Sequence, residues 1–193
     1  TTRLVGSEMC IRDSDWTVID VNSDVSANTW AYNDGNAMYM QDKSNAADDW
    51  LIAPAVTLEA GKAYKVSAYV KHSSTFGSDK QKIELKIGTA PTVEGLTTRL
   101  VYDESFQSRL FVEKSGTFSP AESGVFYVGL RCYSESYNGD LYFQKIVIEE
   151  APVYPAQITD LSIVAGERGA MSATLSWLSL IHISEPTRRV VIS

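Results

Sequence analysis

Asp20, Asn22 and Asp24 alternate along one short stretch, IDVNSDVSANTW, and set three oxygen donors where a single loop can aim them at one point. Calcium takes roughly six to eight oxygens from carboxylates, amides and carbonyls. A calcium site built on this loop therefore needs Asp48, Asp49 or Asp140 brought in from elsewhere. The same three residues equally suit a solvated turn whose Asp and Asn side chains bond their own backbone. Asp49 by itself suits a cap on the turn before Trp50. A second constellation is Tyr127, Arg131, Tyr133 and Tyr137, on the polar side of one strand-like run and the loop after it. Aromatic faces pack against sugar rings or protein partners, and arginine adds directed donors; tyrosine's strand propensity alone would also place them on an outer sheet face. Catalysis has less to stand on. His72, in HSST, reads as a solvated turn, and no GxSxG, HExxH, glycine-rich phosphate loop or zinc-ligand spacing occurs. Asp103/Glu104 and Glu149/Glu150 read as exposed strand ends rather than a glycosidase pair, whose geometry is set by distance in the fold. Trp16, Trp30 and Trp50 each sit beside apolar residues, as core or rim aromatics do.

The elements that must position these residues are strands. From Asp15 to Glu150 the apolar pattern has period two. Tyr64, Val66, Ala68 and Val70 alternate with Lys65, Ser67, Tyr69 and Lys71, and Ile83, Leu85 and Ile87 alternate with Lys82, Glu84 and Lys86. Phe126, Val128, Leu130 and Cys132 alternate with Tyr127, Gly129, Arg131 and Tyr133 in the same way. Shorter strands are predicted near Trp16 to Ile19, Thr29 to Tyr32, Ala37 to Met40, Asp49 to Ile52, Arg109 to Glu113 and Leu141 to Ile148. The separators NDGN, EAGK, SSTFGSDK, ESG and SESYNGD are turn-rich, and at most one helical turn is predicted, near Thr92 to Thr98. Strands of this length cannot bury their apolar faces singly, so two sheets must stack. The expected fold is an all-β, two-sheet antiparallel β-sandwich, with jelly-roll topology.

The two ends read differently. One coding strand for Leu178 to Arg188 (LSLIHISEPTR), reverse-complemented and read in a shifted frame, gives LVGSEMCIRD followed by Arg or Ser, which is Leu4 to Ser14. Such a pair resembles a transposon-end adapter from sequencing libraries translated at both ends. Residues 1–14 and 178–193 are therefore expected to be non-native, and disordered or draped on the fold. Setting them aside leaves 13 basic against 21 acidic side chains and Cys132 as the one native cysteine. That balance gives no electrostatic reason to bind nucleic acid or an anionic membrane, allows no internal disulfide, and includes no apolar run near the ~20 residues of a membrane helix. APVYPAQ, from Ala151, reads as a linker over 151–157. Leu161 and Ile163, then Met171, Ala173, Leu175 and Trp177, alternate with polar residues as two opening strands of a second domain.

Asp48 to Val70, DDWLIAPAVTLEAGKAYKVSAYV, resembles the central motif of the cleaved-adhesin or choice-of-anchor-J family of bacterial surface proteases and secreted surface proteins. The match extends to IDVNSDVSANTW before it, IELKIGTAPTVEGLTT after it and the aromatic closing strand GDLYFQKIVIEE, so it spans nearly all of residues 15–150. It implies a noncatalytic jelly-roll module for adhesion or substrate recognition, often with bound calcium. Two departures bear on calcium: the first loop has Val21, Ser23 and Val25 where the family is richer in Asp and Gly, and Gln144 and Lys145 stand where the last strand commonly has an Asp. PAQITDLSIVAGERGAMSATLSW resembles the start of a fibronectin type III domain, over residues 158–177, with Trp177 as its core tryptophan.

The function expected from the resemblance is adhesion. The partner would be a host or matrix protein or a glycan, the setting a bacterial secreted or cell-surface protein with other domains in the same chain, and the cofactor calcium held by Asp20, Asn22, Asp24, Asp48 and Asp140. The alternative is a carbohydrate-binding or substrate-targeting accessory domain of a secreted hydrolase or protease. A purely structural spacer would bind nothing.

Overall fold

A computed structural model of the chain describes residues 8–10, 15–23, 29–33, 36–39, 45–73, 79–151, 162–165, 173–177 and 188–192. The chain divides into two compact units, Thr1–Ala151 and Pro152–Ser193.

The first unit is a two-sheet antiparallel sandwich of jelly-roll type. One sheet runs β10 (Val112–Phe118), β7 (Tyr64–His72), β12 (Leu141–Glu150), β4 (Asn36–Tyr39), β3 (Trp30–Asn33), with β1 (Glu8–Cys10) also paired to β12. The other runs β2 (Thr17–Asp20), β5 (Asp49–Ile52), β11 (Gly124–Cys132), β8 (Gln81–Gly88), β9 (Thr98–Phe106), with β6 (Val56–Leu58) paired to the start of β11. The period-two alternation decides which residues face inward. Tyr64, Val66, Ala68 and Val70 from one sheet meet Ile83, Leu85, Ile87, Val128, Leu130 and Cys132 from the other in a single apolar cluster. Burial of each large side chain there contributes roughly 1.5–3 kcal/mol.

β12 shows how a strand keeps its inner face through an irregularity. Leu141 and Phe143 point inward at odd positions and Ile146 and Ile148 at even ones, all at most 1% exposed. A bulge between Phe143 and Lys145 makes the switch, leaving Gln144 exposed.

Most predicted strands appear within two residues of their expected bounds. Three differences have physical causes. The strand expected at Arg109 to Glu113 begins at Val112 and continues to Phe118, and β6 and β9 were not expected at all. β9 and β10 lie at sheet edges and bury only Phe106 between them, β9 has two register shifts against β8, and β6 is three residues long, so none of them carries a long apolar alternation. The predicted helical turn is a single hydrogen-bonded turn, Leu96 N donating to Thr92 O at 3.1 Å and Gly95 N to Thr92 Oγ1 at 3.0 Å.

Glu8–Cys10 is not draped on the fold: it pairs in register with Lys145–Val147 of β12. Main-chain pairing needs no particular side chains, which is why such a sequence can occupy a strand position. In the second unit β13 (Ser162–Ala165), β14 (Ala173–Trp177) and β15 (Arg188–Ile192) form a three-stranded antiparallel sheet in that order. Here too a stretch expected to be disordered, Arg188–Ile192, is a strand.

Candidate ligand-binding face

Strand register writes the outer face of the β2-β5-β11-β8-β9 sheet as rows of directly opposed residues. Ile19, Trp50, Arg131, Glu84 and Tyr102 form one row, and Thr17, Ile52, Gly129, Lys86 and Arg99 the next. Tyr127 opposes Gly88 one row further on.

The first row holds a buried carboxylate among cations. Glu84, 2% exposed in its side chain, accepts from Arg99 Nε at 2.6 Å and Arg131 Nη1 at 3.4 Å, with Lys86 Nζ at 3.6 Å. A carboxylate this far from water is tolerable only when so surrounded. Arg131 also grips Asp48 with two parallel bonds, Nε to Oδ1 at 2.7 Å and Nη2 to Oδ2 at 2.9 Å, the fork geometry that suits guanidinium to carboxylate. The Asp48 carboxylate holds the Arg131 guanidinium above its ordinary pKa despite burial. Its plane lies over Tyr133 at 5.0 Å and Trp50 at 5.7 Å.

Beside this hub Tyr102 is open to solvent, while Tyr133 behind it is half-buried with its hydroxyl enclosed. Tyr102 and Tyr133 stack with centroids 6.1 Å apart and planes 22° apart. Arg99 covers Tyr102 at 4.6 Å, while Tyr102 is 50% exposed and donates through its hydroxyl to Glu104 at 2.7 Å. The result is an Arg-Tyr-Tyr-Arg ladder across β9 and β11, rigid below and wet above. Burial, then the neighbouring Tyr102, pushes the Tyr133 phenol well above the usual range.

The β8–β9 loop folds over the other end of the face. Leu96 packs with Trp50 and Ile52 in a small cluster joined by Ile19, Val93 and Tyr127. Trp50 is thus buried, as expected of it, but outside the main core. The contact requires glycine at 129, where a Cβ would lie 2.4 Å from Leu96 Cδ1 and 3.0 Å from Trp50 Cε3.

The four residues singled out in the sequence therefore separate. Arg131 and Tyr133 meet; Tyr127 lies on β11 six positions before Tyr133, which follows the strand's last residue, about 20 Å away along the chain. Tyr137 is 67% exposed in a turn, at a left-handed φ of 63°, and joins no ring contact among the described residues. Arg131 does not offer its donors outward, because Asp48 and Glu84 already take them. Sequence reasoning missed Tyr102, Arg99 and Glu84, since only the β8–β11 and β8–β9 registers bring them to Arg131.

As for the oxygen donors, the first loop lies against the Ala46–Asp49 segment, where Val21 N donates to Asp48 O at 2.9 Å. Asp20 opposes Asp49 across β2 and β5, but its Oδ1 accepts from Ser23 N at 2.7 Å, and Asn22 Nδ2 donates to Ala46 O at 2.7 Å. Asp48 is clamped by Arg131, Asp140 immediately precedes β12 of the other sheet, its N–H donating to Ser73 Oγ at 2.7 Å, and Asp24 lies outside the described residues. Asp49 is not a turn cap but a wholly buried strand residue. Among the described residues no three His, Cys, Asp or Glu side chains converge on a metal-sized site.

His72 is not solvated. It ends β7 at 2% exposure, and its Nε2–H donates to Asn138 O. It belongs to a buried polar cluster in which Gln81 Nε2 donates to Gly139 O at 2.6 Å and Ser134 Oγ donates to Gln81 Oε1 at 2.5 Å. Cys132 lies in the same cluster, and burial pushes its thiol up to about 12, which keeps it protonated and inert at neutral pH.

Against known proteins, no family model and no curated protein matches the chain. Solved structures do. The K3 cleaved adhesin domain of Lys-gingipain from Porphyromonas gingivalis is 11% identical over 74% of this chain and 98% of its own, with a TM-score of 0.57. The K1 domain is 14% identical over 76% of this chain and 99% of its own, at 0.54, and the K2 domain 15% identical over 72% and 98%, at 0.51. In fold, this chain is similar to the cleaved adhesin domains. At these identities the likeness covers architecture and leaves side-chain chemistry to the residues themselves.

Proposed function

We propose that this chain is a noncatalytic binding module of a bacterial secreted or cell-surface multidomain protein, engaging a glycan or a host or matrix protein. The observation that carries the reading is the Tyr102–Tyr133 stack with Arg99 laid over it, a half-exposed Tyr102 backed by the more buried Tyr133 on a sheet braced by the Arg131–Glu84–Asp48 network. Aromatic and arginine side chains on a firm base are what binding surfaces concentrate, and placing them on strands fixes them before the partner arrives. The likeness in fold to domains described as adhesins supports the same reading.

The test is binding of the purified chain to arrayed glycans and matrix proteins, once in calcium and once in EDTA. Specific binding that Tyr102→Ala and Arg99→Ala each weaken at least tenfold supports the face. Binding that survives both variants moves the site elsewhere, and no binding at all favours a structural spacer. The EDTA arm addresses the Asp20, Asn22 and Asp24 loop: loss of binding, reproduced by Asp20→Ala, would put a calcium ion there, whereas unchanged binding leaves the loop as a hydrogen-bonded turn.

A further inference from the structure

At the far end of the same sheet from the Tyr102–Tyr133 pair lies a pocket of about 210 Å³. Its apolar lining is Ala53, Pro54, Ala55 and Pro91; Asp15, Thr17 and Tyr127 complete it. The surround is firmly built. Ala53 N donates to Val128 O at 2.8 Å, and Pro91 precedes the Thr92–Leu96 turn that Leu96 anchors on Gly129 and Trp50. The polar tips are uncommitted: among the described residues the side chains of Asp15, Thr17 and Tyr127 have no hydrogen-bond partner.

An apolar lining with a few convergent polar groups is the usual anatomy of a small-molecule site. The volume is below the roughly 300–1,000 Å³ of a drug-sized pocket, so it suits one six-membered ring rather than a peptide segment. The chemistry narrows the class further. One aromatic wall suits the C–H face of a sugar ring, while a carboxylate and two hydroxyls suit its rim of hydroxyl groups. The lining holds one carboxylate and no cation, and the chain carries a net charge of −7, which disfavours acidic sugars.

We propose that this pocket is a subsite for a single uncharged pyranose unit, with Tyr127 stacking on the ring and Asp15 and Thr17 bonding its hydroxyls. The proposal rests on the glycan form of the function argued above and adds a second contact point to it.

The experiment is an NMR titration of the ¹⁵N-labelled full chain with glucose, galactose, mannose and N-acetylglucosamine, with glucuronate as the anionic control. The expected result is saturable shifts of the Tyr127, Ala53 and Thr92 amides with at least one neutral sugar, at a Kd on the order of 1–10 mM. Asp15→Asn and Tyr127→Ala each weaken this at least tenfold, Leu110→Ala, at an exposed residue away from both sites, leaves it unchanged, and glucuronate shifts nothing. Tyr127 also packs against the Leu96 cluster, so Asp15→Asn and Thr17→Ala, on exposed residues, carry the test if Tyr127→Ala fails to fold. Shifts confined to Tyr102 and Tyr133 would overturn the pocket and leave glycan binding standing. No saturable shift with any sugar up to about 50 mM would overturn the pocket, while arrayed glycans binding through the Tyr102 face would still uphold the broader function.

Discussion

Gly129 is the residue on which the outer face turns. It is a strand residue with no special backbone requirement, yet Leu96 and Trp50 occupy the space its side chain would take. Gly129→Ala should therefore lift the β8–β9 loop, destabilising the fold by about 1–3 kcal/mol through overpacking. Leu96→Ala empties the same contact from the other side, and should cost about 2–3 kcal/mol. Urea unfolding followed by tryptophan fluorescence measures both. If each variant matches the parent in midpoint, the loop does not depend on this contact. Combining the two changes should recover part of the loss, because the alanine then enters space the leucine has left.

At the scale of elements, β10 joins the two sheets at one side of the sandwich. Its Glu113 accepts from Lys65 and, at 2.6 Å, from Ser67 Oγ on β7, while its Lys114 reaches Asp103 on β9 at 2.7 Å. β7 and β9 belong to different sheets, so β10 ties one sheet to the other. Lys65 and then Ser67 hold the Glu113 carboxyl below its ordinary pKa. Burial pushes the Asp103 carboxyl up, but Lys114 and Ser105 outweigh it and the net shift is downward. A lowered folded pKa means the unfolded chain binds protons more readily. The stabilisation is then present above the unfolded carboxyl pKa values near ~4 and is lost as pH falls through the lower folded ones. Thermal unfolding should show Tm falling below about pH 4, and the double variant Asp103→Asn, Glu113→Gln should flatten that fall. An unchanged slope would mean that other carboxylates dominate acid unfolding.

At the scale of the whole molecule, residues 1–151 form one compact unit and 152–193 another. A chain ending at Ala151 should keep its Tm within about 2 °C and keep all binding to the outer face. A larger drop would show that the first unit depends on the second. Removing residues 1–14 is a different matter, because β1 pairs with Lys145–Val147 and its loss exposes that length of β12. Net hydrogen bonds contribute about 1 kcal/mol each, so this deletion should lower Tm while leaving the far-ultraviolet strand signature intact.

The amino-acid pattern by itself determined the class of fold and the identity of the core. Alternation along Tyr64 to Val70, Ile83 to Ile87 and Phe126 to Cys132 is local, and a strand's faces follow from its own residues. The same locality identified the turns at EAGK, ESG and SESYNGD and the strand Asp49–Ile52, while the turns read at NDGN and SSTFGSDK lie largely outside the described residues. Tertiary structure decided the site. Whether Arg131 reaches outward or is clamped depends on Asp48, 83 positions away, and on Glu84, 47 away. Tyr102 became its neighbour's partner only through the register of an edge strand with weak alternation of its own. His72 and Gln81, polar in sequence, are buried because the turn after β11 closes over them with carbonyls to receive their protons. Long-range pairing chooses which side chains meet, and a polar residue's role lies in that choice rather than in its own type.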